Sequence, residues 1–313
     1  MSETTTERSR REAWLMAARP HTLPAAAAPV IVGTGLAVHE GVFAPLPAFA
    51  AFVGAALIQI GTNFANDYYD AVKRVDTDER EGFTRVTQSG LIPPREVKRA
   101  MYATFALAIL VGVSLVYVGG LPILLIGLAS VASGIAYAGG PYPLGSHGLG
   151  DLFVFVFFGI VAVMGTFYVQ AAAVLAAPFP GGIPGGTVTV ASFVASLPVA
   201  AISTNILVVN NVRDLETDRE AGKKTLAVLI GYRASRAEFV GLLALAYAVP
   251  VWFWLVRAYS PAVLAPFVTL PVAVSIARTV VTDASGEALN PALERTGKLL
   301  AGFSILFALG LVA

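Results

Sequence analysis

Cysteine is absent from the 313 residues, so the chain can build no disulfide framework, no thiolate-bound zinc or iron–sulfur centre and no cysteine nucleophile. Any metal must be held by oxygen or imidazole ligands. Charge is scarce as well. Asp, Glu, Lys and Arg make up 13% of the chain, about half the share of a soluble globular protein. That excludes an ordinary water-soluble domain. A formal net charge of +1 argues against nucleic acid as a partner, because such proteins carry a strongly basic face. What fills the space is apolar: 56% hydrophobic residues and a mean hydropathy of +0.73, spread along the whole length. The composition is that of a polytopic membrane protein.

A bilayer span needs roughly 20 predominantly apolar residues. Windows free of Asp, Glu, Lys and Arg cover Pro20–His39, Gly41–Asn66, Ala100–Gly150, Leu152–Val212, Phe239–Val256, Ala258–Ala277 and Leu299–Ala313. The two longest each hold two passes, divided at Gly119-Gly120-Leu121-Pro122 and in the Gly- and Pro-rich stretch Pro178–Gly186. Nine transmembrane helices are therefore predicted: 22–38, 47–66, 98–118, 121–138, 151–175, 190–212, 237–256, 261–282 and 293–312. The expected fold class is all-α. Residues 1–21 read as a cytoplasmic tail and interfacial segment with Trp14 and Leu15 as anchors, without the features of a cleaved signal peptide. Residues 22–313 form one transmembrane domain. Twenty of the 21 basic residues fall on one side of this arrangement, with Arg257 alone opposite. By the positive-inside rule the N-terminus and the two large polar loops face the cytoplasm.

Two polar motifs end the second and sixth spans. The first runs Asn63-Phe64-Ala65-Asn66-Asp67-Tyr68-Tyr69-Asp70, followed by Lys73 and Arg74; the second runs Asn210-Asn211-Val212-Arg213-Asp214 and on to Asp218 and Arg219. Asn66 and Asp70 are spaced by four, as are Asn210, Asp214 and Asp218, so each set projects from one face of a helix. Matching Asn66 to Asn210 also matches Asp70 to Asp214, the mark of an internal duplication. Carboxylates and amides at the end of an apolar helix are costly unless they pair or bind something. An all-oxygen set of this kind suits Mg2+, which is held by one or two carboxylates together with phosphate oxygens. Asn66, Asp67, Asp70, Asp214 and Asp218 are the candidate metal ligands. Lys73, Arg74, Arg219, Lys223 and Lys224 stand near enough in sequence to neutralise a diphosphate. Asn63 shares the face of Asp67 and Asp70 and would orient a ligand or a metal-bound water. Solvated loop charges are the alternative for a single acidic pair; two copies at equivalent helix ends argue against it.

These motifs resemble the paired aspartate motifs of the UbiA superfamily of intramembrane prenyltransferases. Within it, Arg19-Pro20-His21-Thr22-Leu23-Pro24, Gln59 through Lys73, Gly148-Leu149-Gly150-Asp151 with Val156-Phe157-Phe158-Gly159, Val163-Met164-Gly165, Asn210 through Leu226 and Pro291 through Thr296 look like the branch that prenylates 1,4-dihydroxy-2-naphthoate for menaquinone synthesis. The resemblance implies a nine-helix fold with a cavity open laterally to lipid. It also implies Mg2+-assisted ionisation of a polyprenyl diphosphate, and attack on the allylic cation by the aromatic ring. Carbon dioxide and diphosphate would leave, giving a demethylmenaquinol. His21 stands where relatives often carry Lys, and Arg74 where the fuller first motif has an acid; Asp76 or Asp78 would substitute for that acid.

An allylic cation calls for aromatic faces that stabilise positive charge and exclude water. Phe64, Tyr68, Tyr137, Tyr142, Phe157 and Tyr168 are the candidates, with ordinary packing the alternative for each. Asp151 either positions the acceptor's hydroxyl or caps a helix N-terminus. Arg19 meets either the substrate's charge or a lipid headgroup. Beyond substrates and membrane lipid, the sequence implies no obligate protein partner. Two other readings exist. One is a UbiA-type enzyme with a different acceptor, such as 4-hydroxybenzoate or homogentisate. The other is a secondary transporter, whose polar sites would lie nearer the bilayer midplane. The expected setting is a prokaryotic cell membrane, with the active site on the cytoplasmic face.

Overall fold

A computed structural model describes residues 10–73, 86–87, 89–138 and 144–313, and the side chains of His21, Asp70, Lys73 and Ala138 are outside that description. Arg74, Asp76, Asp78 and Tyr142 also lie outside the described residues. The described residues form ten main helices, two short 3-10 turns at Pro20–Thr22 and Leu144–Ser146, and no strand: α1 Arg10–Ala18, α2 Leu23–His39, α3 Pro45–Lys73, α4 Pro94–Ala138, α5 Gly150–Leu175, α6 Val190–Arg213, α7 Leu215–Glu220, α8 Leu226–Arg257, α9 Pro261–Thr282 and α10 Gly286–Val312. In α5 the stretch Val154–Val161 is a π-helix; α9 opens as a 3-10 helix over Pro261–Thr269.

Seven of these helices are long and apolar enough to cross a membrane, or eight if the bent pair α1 and α2 is one span. The difference from the nine expected has a physical origin in α4. Its 45 residues would stretch to about 68 Å at about 1.5 Å per residue, over twice the roughly 30 Å hydrocarbon core. Gly120 breaks the run at φ 67°, ψ −153°, a conformation open mainly to glycine. The two arms then lie side by side: a Cβ built on Gly134 would stand 3.8 Å from the Phe105 ring. The reversal is tied to the loop before α6, where Leu121 N–H donates to Pro180 O (3.1 Å) and Phe179 N–H donates to Tyr117 O (2.8 Å).

Side chains then orient the rest. The main core gathers Leu36 of α2, Phe167 of α5, Ile202 of α6, Phe239 and Phe253 of α8, Ile276 of α9 and Phe303 and Phe307 of α10. A second core places Ala13 of α1, Phe64 of α3 and Met101 and Phe105 of α4 together. Trp14, an expected interfacial anchor, packs edge-on against Phe64 at 5.8 Å, so α1 belongs to the bundle. At one end, His39 Nδ1 lies 2.7 Å from Leu311 O and its ring stacks on Tyr259. The ends of α3, α6 and α9 and the starts of α2, α8 and α10 share the opposite end. There Asn63 reaches Ala18 and Thr22, Arg213 reaches Asn290, and Arg236 reaches Val280. Both polar motifs therefore stand at one end of the bundle.

Candidate active site

Asn210 and Asp214 follow one another down the last turn of α6, where the apolar run ends and backbone carbonyls need partners. Arg213 organises them. Its side chain is 2% exposed and that of Asp214 7%. The guanidinium grips the carboxylate with both arms, Nε to Oδ1 and Nη2 to Oδ2, each at 2.7 Å. Nη2 also donates to Asn210 Oδ1 (2.8 Å) and Nη1 to Asn290 Oδ1 of α10 (2.7 Å). A turn further, in α7, Asp218 is 8% exposed and Lys223 Nζ stands 3.1 Å from its Oδ1. Asp214 and Asp218 thus each meet a cation, which is what makes a buried charge tolerable. Asn211 is buried beside them at 6%. Arg219 instead pairs at the surface with Glu216 (2.5 Å). Lys224 N–H donates to Ser146 O (2.9 Å), fastening the loop before α8 to the turn before α5.

The first motif is held differently. Asn63, 3% exposed, donates from Nδ2 to Ala18 O and to Thr22 Oγ1, both at 2.9 Å, and so fixes the break between α1 and α2. At that break Arg19 takes a left-handed backbone, φ 50°. Asp67, 1% exposed, accepts hydrogen bonds at Oδ2 from the backbone N–H (3.1 Å) and the hydroxyl of Thr87, and so anchors the chain that returns toward α4. Asn66 is half-buried on the same helix end. Helix α2 touches both carrier helices, α3 and α6. Among the described residues no three His, Cys, Asp or Glu side chains gather at metal-binding distance; Asp70, the residue matched to Asp214, is outside that search.

The turn before α5 brings in a third set. Leu149 holds the N-terminal cap position of α5 and no side chain caps that helix end, so the capping role for Asp151 does not apply. Asp151 is buried at 5%, and its Oδ2 has no hydrogen-bond partner. Tyr137 adjoins it: a Cβ on Gly150 would stand 3.6 Å from the tyrosine hydroxyl. Glu238 of α8 lies near enough for Asp151 to act on its charge. Among the expected aromatics, Phe157 stacks with Phe153 at 5.4 Å, and Lys98 Nζ sits 5.4 Å from the Tyr68 ring centroid. Tyr168 donates its hydroxyl to Gly119 O (2.8 Å) at the far end, so it serves packing there, as Phe64 does against Trp14.

Arg213, Asn290 and Glu238 were not singled out by sequence reasoning. Arg213 reads as one more basic residue flanking a span, and its partner Asn290 is 77 residues away. Glu238 is the isolated acid of α8, a signal that intramembrane charge alone could have raised.

A helical bundle that buries paired aspartates, amides and cations at one end of its spans is a multi-pass membrane protein built around a polar, anion-compatible site. The UbiA prenyltransferase family matches residues 26–301, and the chain belongs to that family and is a prenyltransferase. It is 38% identical to the 1,4-dihydroxy-2-naphthoate octaprenyltransferase of Escherichia coli, over 97% of this chain and 96% of the relative. It is also 38% identical to the protein of the same name from Mycobacterium tuberculosis, over 91% of each chain. The fold is shared with the structure of a UbiA homolog from Archaeoglobus fulgidus bound to DMAPP and Mg2+, at a TM-score of 0.60 and 18% identity over 94% of this chain and 98% of that one.

Proposed function

We propose that the chain transfers a polyprenyl group from polyprenyl diphosphate to 1,4-dihydroxy-2-naphthoate, releasing carbon dioxide and diphosphate and giving demethylmenaquinol. The carrying observation is the Asn210–Arg213–Asp214–Asp218 cluster, which sets acid and amide oxygens beside cations at one end of the bundle and so supports a metal-bridged diphosphate there. Two relatives named for dihydroxynaphthoate prenylation, each 38% identical, support the acceptor.

The donor set fits Mg2+: every candidate is a carboxylate or amide oxygen, and the acids that the structure describes are held by hydrogen bonds or cations. Asn66, Asp67 and Asp70 on α3, with Asp214 and Asp218, would hold it, and bound Mg2+ would supply charge that stabilises the departing diphosphate. Arg213 and Lys223 hold the second acidic set in place, and Arg19, Lys73, Arg74, Arg219 and Lys224 would supply further positive charge for the diphosphate. The unpartnered Oδ2 of Asp151 is an acceptor for a naphthol hydroxyl. Tyr137 would line the same approach and, together with Tyr142, keep water from the cation. The ring carbon bearing the carboxylate attacks the allylic carbon; the carboxylate then leaves as carbon dioxide, its electron pair restoring the aromatic ring.

Residues 22–313 act as one transmembrane domain behind the segment 1–21, in a cell membrane with the site toward the cytoplasm. The basic residues at the site's end of the bundle, against Arg257 at the other, support that orientation. The test is a membrane assay with carboxyl-labelled dihydroxynaphthoate. Label should leave as gas in step with prenyl transfer and only with Mg2+ present. A 4-hydroxybenzoate enzyme would keep the label in its lipid product, and that result would reject the acceptor assignment. Asp214→Asn keeps shape and removes charge; turnover is expected to fall about a hundredfold, roughly 2.7 kcal/mol of transition-state stabilisation.

A further inference from the structure

Along α9 runs a groove of about 710 Å3, inside the range of roughly 300–1,000 Å3 usual for small-ligand pockets. One end is apolar, with Phe267, Leu270 and Val274; the other is polar, with Ser275, Arg278 and Thr279. The polar end is also the end of the bundle that carries Asp214. Arg236 of α8 fixes it there by donating to Val280 O and Asp283 O, both at 3.0 Å.

Arg278 is the single charged residue between Ala258 and Thr282, and its side chain lies on the exposed surface of the span. From the neighbouring helix, Arg295 of α10 donates from Nη2 to the groove's Ser275 Oγ (3.0 Å), three residues before Arg278 on α9. Among the described residues neither guanidinium meets a carboxylate. Glu294 pairs with Lys298 at 2.7 Å, and Asp283 Oδ1 accepts from the Ala284 and Ser285 amides. A guanidinium on the lipid side of an apolar helix is costly unless it reaches the interface and a counter-charge. Arg278 stands one turn from the helix end, where phosphate groups lie. The guanidinium fork suits phosphate oxygens, and basic pockets between helices at this depth suit anionic headgroups.

We propose that this groove binds one anionic phospholipid, its phosphate between Arg278 and Arg295 and one acyl chain along Phe267, Leu270 and Val274. Bound there, the lipid bridges α9 and α10, and α10 carries Asn290 against Arg213.

The test reconstitutes the full chain in mixed phosphatidylcholine and phosphatidylglycerol vesicles and reads the retained lipid by native mass spectrometry. One phosphatidylglycerol should stay bound in preference to phosphatidylcholine. The preference should fall about twentyfold or more in Arg278→Gln/Arg295→Gln, at about fivefold for each arginine. Arg278→Lys should keep most of it. If the double variant does not fold, the single variants decide: preference weakened in Arg278→Gln and kept in Arg278→Lys. Equal retention of the two lipids by the unaltered chain would overturn the proposal, as would a preference that survives loss of the arginines. Displacement of phosphatidylglycerol by equimolar polyprenyl diphosphate would also overturn it, making the groove a substrate path.

Discussion

Removing the Arg213 charge while keeping its length, as in Arg213→Met, should strand Asp214. The carboxylate is 7% exposed and would lose both arms of the guanidinium, while Asn210 and Asn290 would each lose a donor. Breaking a buried pair by deleting one partner costs about 3–5 kcal/mol, because the remaining charge keeps its desolvation penalty. Burial this deep leaves little solvent to screen it. At about 2 °C per kcal/mol for a chain of this size, Tm should drop by roughly 6–10 °C. Asp214→Asn removes the stranded charge, so the double variant Arg213→Met/Asp214→Asn should be more stable than the sum of the single losses, with a coupling of about 2–3 kcal/mol. Thermal unfolding of the four proteins in detergent, without divalent cations, measures the cycle. Adding Mg2+ should recover part of the Arg213→Met loss, since a cation at Asp214 does the same electrostatic work, and should recover nothing in the double variant. Additive losses would refute the reasoning: Arg213 and Asp214 would then not be a unit.

Asn63→Ala takes the shared donor from Ala18 O and Thr22 Oγ1, at about 1–3 kcal/mol for buried acceptors left unpaired; faster deuterium uptake across residues 16–23 is the expected readout, and unchanged uptake would show the break held by other contacts. Gly159→Val should be more severe, since a Cβ there would meet Ala200 Cβ at 2.1 Å and overpacking costs about 1–3 kcal/mol or more; an unaltered Tm would mean that α5 and α6 are not in close contact. At the turn between α9 and α10, hydrogen bonds from Ser285 and Ala284 hold the Asp283 carboxyl below its ordinary value. Its contribution is therefore present above that value and lost as pH falls through the lowered one. Exchange at residues 284–288, corrected for intrinsic rate, should rise on acidification in the unaltered chain and show no such step in Asp283→Asn.

The helical class and the placement of both motifs at one end were legible because charge-free windows and flanking charges are local features of sequence. The internal wiring was not. Asp67 reads as a metal ligand in its motif, yet the structure engages its carboxylate with Thr87, twenty positions later. Asn63 reads as an orienting group for the acids, but spends its amide on Ala18 and Thr22 across a helix break. Asp151 reads equally as a cap, and only the identity of the cap residue, Leu149, separates the alternatives. For Asp67 and Asn63 the deciding partner is set by how distant segments come together, which no window of sequence contains.

The backbone turn at Gly120 also bears on how the chain is made. The arms of α4 meet at a reversal with no charged residue between Arg99 and Asp151, so nothing in the connection marks which side of the bilayer it belongs to. Such a pair enters the membrane as a hairpin or not at all, since one arm alone would be followed by a second apolar stretch with no signal to stop or turn it. One residue's left-handed backbone therefore decides whether the remaining helices are counted odd or even. Had the run stayed straight, the loop holding Asp214 and Asp218 would be delivered to the opposite face from the loop after Asp70, and the two halves of the site could never meet.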